Sequence, residues 1–234
     1  MNLIPRFVRT GFTRLLGPLA QVLVRLHIRP NAITTVGTLI VVGSAVAFGV
    51  GHARWGAALL LVSGLFDMLD GRVARDGGMK TTFGAFYDST LDRLGESAVF
   101  TGIAVYFLHG GVAPERLTLA IVACCVAMAG SLIVSYARAR AEGLGLEGNV
   151  GMAQRAERIL LLGVPTMFFG AGTQGALLLW IVVVLALVSV VTVVQRVVHV
   201  FRTAGGPDGG AERPARPHDT LPERAAALQS PKGH

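Results

Sequence analysis

Residues 67–92 read DMLDGRVARDGGMKTTFGAFYDSTLD, and six of the fourteen acidic residues of the chain fall between positions 67 and 96. Asp67 and Asp70 are three residues apart, and Asp88 and Asp92 are four apart, so each pair would lie on one face of a helix. Long apolar runs flank this stretch on both sides. Because a charge inside a membrane-spanning helix costs several kcal/mol, carboxylates at such positions indicate a functional site.

The composition indicates a membrane protein. Of the 234 residues, 52% are hydrophobic and 15% are charged, whereas a soluble domain carries about 25% charged residues. The net charge of +7 does not indicate nucleic-acid binding, because the basic residues lie beside apolar runs, where they would meet anionic lipid headgroups. The adjacent Cys124 and Cys125 lie in an apolar run and are predicted to be packing residues rather than a disulfide.

Six apolar stretches are long enough for a spanning helix, which needs about 20 residues. They are residues 31–51, 54–75, 82–109, 115–142, 153–171 and 174–202. We therefore predict an all-α integral membrane fold of six transmembrane helices, with the membrane domain over residues 31–202. Residues 1–30 mix arginines with apolar residues at helical spacing and predict an amphipathic helix on the membrane surface. Residues 203–234 are rich in Gly, Pro and charge, which predicts a disordered cytoplasmic tail.

The basic residues predict the orientation of this fold. With both termini in the cytoplasm, most of them fall on the cytoplasmic side, and the outer loops hold only Arg54 and Arg116. The aspartates then lie near the cytoplasmic ends of the second and third spans. We therefore expect a multi-pass protein of the inner or plasma membrane, with an active site that faces the cytoplasm.

The aspartates predict a metal centre. If the second and third spans pack as neighbours, four carboxylates converge, those of Asp67, Asp70, Asp88 and Asp92. Four anions at close range repel one another strongly, and divalent cations relieve this repulsion. Oxygen-only ligation suits Mg²⁺ or Mn²⁺ and leaves coordination positions open for phosphate oxygens. The structural alternative is that these aspartates only form ion pairs with nearby arginines, namely Arg72, Arg75 and Arg93.

The same stretch matches a known signature at every fixed position. The pattern D-x-x-D-G-x-x-A-R-x8-G-x3-D-x3-D begins at Asp67 and ends at Asp92, and it resembles the signature of the CDP-alcohol phosphatidyltransferase family. The resemblance covers residues 5–202 and implies six spans, an N-terminal surface helix and a homodimer. It also implies that Asp67, Asp70 and Asp88 ligate two Mg²⁺ (or Mn²⁺) ions. Asp92 would help to hold one ion and would be the catalytic general base.

Five positions in or near the signature are predicted to bind the CDP-lipid donor. Gly71, Ala74 and Gly84 are small, so a nucleotide can approach the helix backbone closely. Arg75 can grip phosphate oxygens through its planar guanidinium, and Thr81 can donate a hydrogen bond to a phosphate near the start of the third span. The resemblance implies transfer of the phosphatidyl group of CDP-diacylglycerol to an acceptor hydroxyl, with release of CMP.

Basic residues on the later spans predict the acceptor. The fourth span ends in SYARARAE (135–142), the fifth begins with QRAER (154–158), and the sixth ends near QR (195–196). These motifs resemble family members that use inositol 1-phosphate. The acceptor-phosphate candidates carried over are Ser135, Arg138, Arg155 and Arg196, with Arg140 and Arg158 in support, and Arg93 also resembles the inositol-type members. Arg138 stands where those members have a lysine, and the positive-inside rule alone would also place arginines at these helix ends.

Other functions stay open on the sequence. Glycerol 3-phosphate carries a phosphate and can use the same arginines, whereas serine lacks a phosphate for them to bind. A divalent-metal transporter can use the same carboxylates, but it is expected to place charged sites near the midplane in both halves of the chain. Here the acids cluster in the second and third spans, which favours the transferase.

Overall fold

The computed structural model describes residues 17–146 and 155–204, and these residues form helices and short connections without a strand. Residues 17–25 are helical and are called α1 here. Six helices follow, and they are α2 (Pro30–Gly49), α3 (Ala53–Asp76), α4 (Thr82–Tyr106), α5 (Leu117–Gly143), α6 (Arg155–Phe169) and α7 (Ala176–Thr203). Each coincides with one predicted apolar segment, so the predicted all-α fold is confirmed.

The third predicted segment shows the largest difference at its end. It was predicted to continue to residue 109, whereas α4 ends at Tyr106 and a single π-helical turn, Phe107–Gly111, follows it. Within this turn Gly110 has φ 85°, a left-handed conformation that a residue without a side chain adopts easily. The helix therefore ends one turn earlier than its apolar composition predicts.

Three helical stretches are long and apolar enough to cross a membrane, namely Pro30–Gly49, Pro114–Gly143 and Thr173–Thr203. α3 and α4 carry the polar residues of the signature, which lowers their hydropathy. α6 has 15 residues, or about 22 Å of helix, whereas the hydrocarbon core is about 30 Å thick. Large apolar side chains such as Leu39 and Leu187 are more than half exposed on the outer faces, as in a protein that faces lipid. The chain is therefore a membrane protein, and the number of six spans stays a prediction.

The helix packing places the predicted site. α2 packs against both α3 and α4, α5 packs against α7, and α6 contacts α3 and α7. At the crossing of α2 and α4, a methyl group added to Gly102 would stand 2.1 Å from the carbonyl oxygen of Ala45, so only glycine allows this approach. α2 thus holds the two helices that carry the aspartates, while α5, α6 and α7 carry the later arginines.

Two groups of buried side chains stabilise this arrangement. The larger one runs through the centre of the bundle and includes Phe48, Leu60, Ile103 and Leu185. The smaller one joins α1 to α2 and α3 below the aspartates and consists of Ala20, Ile33, Leu69 and Val73. Residues 1–16 of the predicted surface helix and residues 205–234 of the predicted tail lie outside the described residues.

Candidate active site

Three of the four predicted aspartates form one cluster. One carboxylate oxygen from each of Asp67, Asp70 and Asp88 lies within 4.8 Å of the others. Asp67 and Asp70 are three residues apart on α3, and Asp88 lies on α4, so α2 brings the two carboxylate faces together. This arrangement matches the convergence that the helical spacing predicts.

Asp70 is the most deeply buried member of the cluster, with 5% of its surface exposed. Thr34 of α2 donates a hydrogen bond from its Oγ1 atom to Asp70 Oδ2 at 2.7 Å. This contact fixes the orientation of the carboxylate, as the outer-shell partners of metal ligands do. Sequence reasoning missed Thr34. The available signal was a pair of threonines, Thr34 and Thr35, in the first turns of an otherwise apolar span.

The cluster fits a divalent cation. Asp88 Oδ1 is buried and has no hydrogen-bond partner among residues 17–146 and 155–204. A buried carboxylate oxygen without a partner is unfavourable, and coordination to a cation would satisfy it. The donor set is made only of oxygen atoms, the type of ligand that Mg²⁺ and Mn²⁺ prefer.

Asp92 faces the same crevice but lies against arginines. Arg155 Nη1 forms an ion pair with Asp92 Oδ1 and a second ion pair with Asp67 Oδ1, at 2.5 Å. Arg93 Nη2 lies 3.7 Å from Asp92 Oδ2. Asp67, Asp70, Asp92 and Arg155 all line one small crevice between α2, α3, α4 and α6. The crevice is therefore lined by two members of the cluster, the predicted general base and one predicted acceptor residue, and Asp88 adjoins it through its contact with Asp67 and Asp70.

The predicted donor residues follow the cluster along α3 and into α4. A methyl group added to Gly71 would meet only the flexible guanidinium of Arg75, at 3.3 Å, so no packed side chain occupies this space. Arg75 is exposed and forms no ion pair within the described part of the chain. Thr81 Oγ1 accepts a hydrogen bond of 2.9 Å from the backbone N–H of Gly84, which caps the start of α4. The Thr81 hydroxyl hydrogen can still be donated to a ligand. Ala74 is half-buried on α3 between these positions.

The predicted acceptor residues come from three helices. Arg155 and Arg158 lie in the first turn of α6, and Arg196 of α7 donates a hydrogen bond to the carbonyl oxygen of Val134 on α5. Arg196 is close enough to Arg158 for their charges to interact, and the charges of Arg93 and Arg138 also act on it. These arginines therefore share one region beside the crevice.

Two residues of the predicted acceptor group lie nearer the surface. Arg138 is half exposed, and its Nε lies 2.8 Å from Oε1 of Glu142, one turn further along α5. Arg140 is exposed in the last turn of α5. Ser135 is partly buried and donates a hydrogen bond of 3.1 Å to the carbonyl oxygen of Ser131. Arg155 thus lines the crevice, Arg158 lies one turn further along α6, and the charge of Arg196 interacts with those of Arg158 and of the more exposed Arg138.

Sequence reasoning also missed the partners of these arginines. Glu96 of α4 accepts hydrogen bonds from Ser131 of α5 and from Arg93, and it forms an ion pair with Arg158. The sequence signal was a sixth acidic residue close to the signature, one helical turn after Asp92 and Arg93.

Comparison with known proteins identifies the family. The sequence profile described as CDP-alcohol phosphatidyltransferase matches residues 27–194. The chain belongs to the CDP-alcohol phosphatidyltransferase family. It is therefore a transferase, and the resemblance predicted from the signature is confirmed. This transferase is 38% identical over 202 residues to the phosphatidylinositol phosphate synthase of Cutibacterium acnes, and the match covers 83% of this chain and 96% of that one.

Solved structures show the same similarity. The transferase resembles the crystal structure of Mycobacterium tuberculosis phosphatidylinositol phosphate synthase with CDP-DAG bound, with a TM-score of 0.73 and 33% identity over 85% of this chain and 99% of that chain. A structure of the same M. tuberculosis enzyme in complex with manganese and citrate gives a TM-score of 0.72 and 33% identity, over 84% of this chain and 93% of that one.

Proposed function

We propose that this transferase moves the phosphatidyl group of CDP-diacylglycerol to a hydroxyl of inositol 1-phosphate and releases CMP. The observation that carries the proposal is the cluster of Asp67, Asp70 and Asp88, two members of which line a crevice together with Asp92 and Arg155. The relative from C. acnes is named for this product, and the M. tuberculosis relative was crystallised with the CDP-lipid. Both matches cover nearly the whole of the relative.

Asp67, Asp70 and Asp88 would hold two divalent cations, Mg²⁺ or Mn²⁺, with Asp92 as a further ligand. The buried Asp88 Oδ1 without a hydrogen-bond partner and the oxygen-only donor set support this assignment. When bound, the cations neutralise charge on the pyrophosphate and on the departing CMP. Thr34 would keep the Asp70 carboxylate in the orientation that a ligand needs.

The CDP-lipid would lie along the segment that joins α3 to α4. The backbone at Gly71 and Gly84 lets the nucleotide approach closely, and Ala74 adds little bulk between them. Arg75 is free to bind phosphate oxygens with its planar guanidinium, and Thr81 can donate a hydrogen bond to a phosphate. These residues hold the donor so that its β-phosphorus faces the crevice.

The acceptor would enter from the arginine side. Its phosphate would be held by Ser135, Arg138, Arg155 and Arg196, with Arg93, Arg140 and Arg158 in support. These six arginines outnumber the carboxylates of Asp67, Asp92, Glu96 and Glu142 that pair with them, so the region is complementary to a phosphate dianion. Serine offers no such group, and this charge balance favours a phosphorylated acceptor.

Asp92 would act as the general base. Its carboxylate accepts the proton of the acceptor hydroxyl as the hydroxyl oxygen attacks the β-phosphorus of the donor. A new oxygen–phosphorus bond forms, and the bond between the β-phosphorus and the oxygen of CMP breaks. Arg155 contacts Asp92 in this structure, so the residue that would bind the acceptor phosphate lies next to the base. This proximity aligns the acceptor with the proton acceptor.

The membrane placement belongs to the same proposal. We infer six spans over residues 31–202, a surface helix in residues 1–30 and a cytoplasmic tail from residue 203 onwards. The active site would face the cytoplasm from the inner or plasma membrane, among the membrane lipids. A homodimer is the expected assembly.

CMP release from the purified transferase tests this function. The protein is incubated with CDP-diacylglycerol and Mg²⁺, and with inositol 1-phosphate, glycerol 3-phosphate or serine in parallel. We expect CMP release that depends on inositol 1-phosphate and stops when the metal is chelated. A preference for glycerol 3-phosphate would contradict the acceptor, and no release with any of the three alcohols would contradict the reaction itself.

A further inference from the structure

Glu96 contacts two arginines and a serine, although no sequence motif predicts a role for it. Its Oε2 atom lies 3.0 Å from Arg93 Nη1, and its Oε1 atom lies 3.0 Å from Arg158 Nη2. The Ser131 hydroxyl donates a further hydrogen bond to Oε2. Glu96 lies one turn after Asp92 and outside the signature, so the aspartate pattern does not explain it.

Glu96, Ser131 and Arg158 form a closed triangle between three helices. Arg158 Nη1 donates a hydrogen bond of 2.6 Å to Ser131 Oγ, which in turn donates to Glu96. The side chains of Glu96 and Arg158 are 13% and 10% exposed. Removal of one partner from a buried ion pair leaves the other charge uncompensated, so these contacts depend strongly on one another. The triangle therefore fixes Arg158 relative to α4 and α5.

The triangle adjoins the predicted acceptor residues. Arg155 is three residues before Arg158 in the first turn of α6, and its charge interacts with that of Glu96. Ser135 donates its hydrogen bond to the carbonyl of Ser131, one turn earlier on α5. A shift of the triangle would thus move residues on both helices that are predicted to contact the acceptor.

Electrostatics give Glu96 a second effect on the same region. Arg93, Arg155, Arg158 and Arg196 lie near one another, and their like charges repel. The Glu96 carboxylate binds two of them and offsets part of this repulsion. The arginines can then stay close together before a phosphate arrives, and less reorganisation is needed when it binds.

We propose that Glu96 is a positioning residue for the acceptor phosphate, which acts by holding Arg158 and Arg93 and, with Ser131, the first turn of α6. The inference rests on the proposed function, because it names the residue that prepares the same acceptor site. Glu96 does not contact the acceptor itself. A carboxylate that only stabilised the helix bundle would affect both substrates alike, and this difference can be measured.

Steady-state kinetics of Glu96→Gln provide the test. CMP release is measured with each substrate varied in turn, at saturating metal. We expect the KM for inositol 1-phosphate to rise at least about tenfold, which is the loss of one charged hydrogen bond, while the KM for CDP-diacylglycerol stays within about twofold. Glu115→Gln is the control, since Glu115 is exposed in the short turn Pro114–Arg116 before α5, at the end of that helix away from Ser135. It should leave both constants unchanged.

A double-mutant cycle tests whether Glu96 acts through Arg158. Arg158→Gln should raise the same KM, and the double variant should show a clearly smaller effect than the sum of the two single effects in free energy, because the two single variants break one shared interaction. Additive effects would overturn the proposal, and so would equal changes in the two KM values or no change in the KM for the acceptor.

If size-exclusion chromatography in detergent shows that Glu96→Gln does not fold, Ser131→Ala is measured in its place. This variant removes the bridging hydroxyl without a change in charge. A selective rise in the KM for inositol 1-phosphate supports the proposal, and an unselective or absent effect overturns it. The wild-type protein distinguishes the proposed function from the proposed role of Glu96. If the wild type releases no CMP, the proposed function is contradicted. If the wild type is active and the variants are unselective, only the role of Glu96 is contradicted.

Discussion

The two sides of the crevice are built in different ways. The carboxylate side consists of Asp67, Asp70 and Asp88, which lie within the short stretch of residues 67–92 on α3 and α4. The arginine side consists of Arg93, Arg155, Arg158 and Arg196, which come from α4, α6 and α7. The carboxylate side needs only helical spacing and the packing of α3 and α4 against α2, whereas the arginine side needs most of the bundle to be folded.

This difference separates two parts of the proposed reaction. The carboxylate side serves the donor, because the cations and the pyrophosphate meet there. The arginine side serves the acceptor, because its excess of positive charge is complementary to a phosphate. Substitutions on the first side should therefore lower turnover, and substitutions on the second should mainly weaken acceptor binding. Asp92 lies between the two sides, in contact with Arg155 and Arg93.

Asp88→Asn should have the largest effect. Asp88 Oδ1 has no hydrogen-bond partner in the described ranges, so a cation is the group that it is best placed to bind. Loss of several kcal/mol of charge stabilisation corresponds to a decrease in kcat of at least about 1,000-fold. Stopped assays of CMP release measure this, and Mn²⁺ titration by electron paramagnetic resonance should show weaker metal binding. Normal metal binding in the variant would remove Asp88 from the ligand set.

Asp92→Asn should have the next largest effect. Asparagine keeps the shape of the side chain but cannot accept the proton, so kcat should fall at least about 100-fold, which is typical of the loss of a general base. Binding of the CDP-lipid, measured by calorimetry in detergent, should remain. The same Mn²⁺ titration compares Asp92 with Asp88. A large loss of metal affinity in Asp92→Asn would make Asp92 chiefly a ligand, and normal turnover would contradict its role as the base.

Thr34→Val should have an intermediate effect on the carboxylate side. Valine has nearly the same shape but cannot donate the 2.7 Å hydrogen bond to Asp70. Loss of such an outer-shell partner typically costs about 10–100-fold in metal affinity or activity, so the Mg²⁺ concentration for half-maximal activity should rise by this amount. Ser44→Ala is the control on the same helix, because Ser44 does not line the crevice and donates to the backbone carbonyl of Gly56, at 2.7 Å. Equal effects of the two substitutions would show that the helix, rather than Asp70, is disturbed.

The difference between helical spacing and helix packing explains which site residues could be predicted from the sequence. The spacing predicted that Asp67 and Asp70 share one face of α3 and that Asp88 and Asp92 share one face of α4, since this depends only on the helical repeat. Thr34 could not be predicted, because its contact with Asp70 depends on how α2 packs against α3. Glu96 could not be predicted either, since its partners on α5 and α6 lie far away along the chain.

For the fold, the helices could be predicted from the sequence more fully than the membrane spans. Apolar length predicted six helices, and each observed helix lies close to its predicted range. Within residues 17–146 and 155–204, length and hydropathy mark Pro30–Gly49, Pro114–Gly143 and Thr173–Thr203 as able to cross a membrane. α3 and α4 carry the signature, and the polar residues that the chemistry needs reduce the apolar signal of the helices that hold them.

The smallest expected effect distinguishes two arginines on the acceptor side. Arg155 is largely buried and contacts Asp67 and Asp92, whereas Arg138 is half exposed and pairs with Glu142 at 2.8 Å. Arg155→Ala should raise the KM for inositol 1-phosphate at least about tenfold, as expected for a lost charged hydrogen bond, with much less change in the KM for CDP-diacylglycerol. Arg138→Ala should raise the acceptor KM by only about threefold, because an exposed charge contributes less than about 1 kcal/mol.

Equal changes in both KM values for Arg155→Ala would place Arg155 outside the acceptor site. A larger effect of Arg138→Ala than of Arg155→Ala would show that the acceptor phosphate binds near the exposed Arg138 and not beside Asp92.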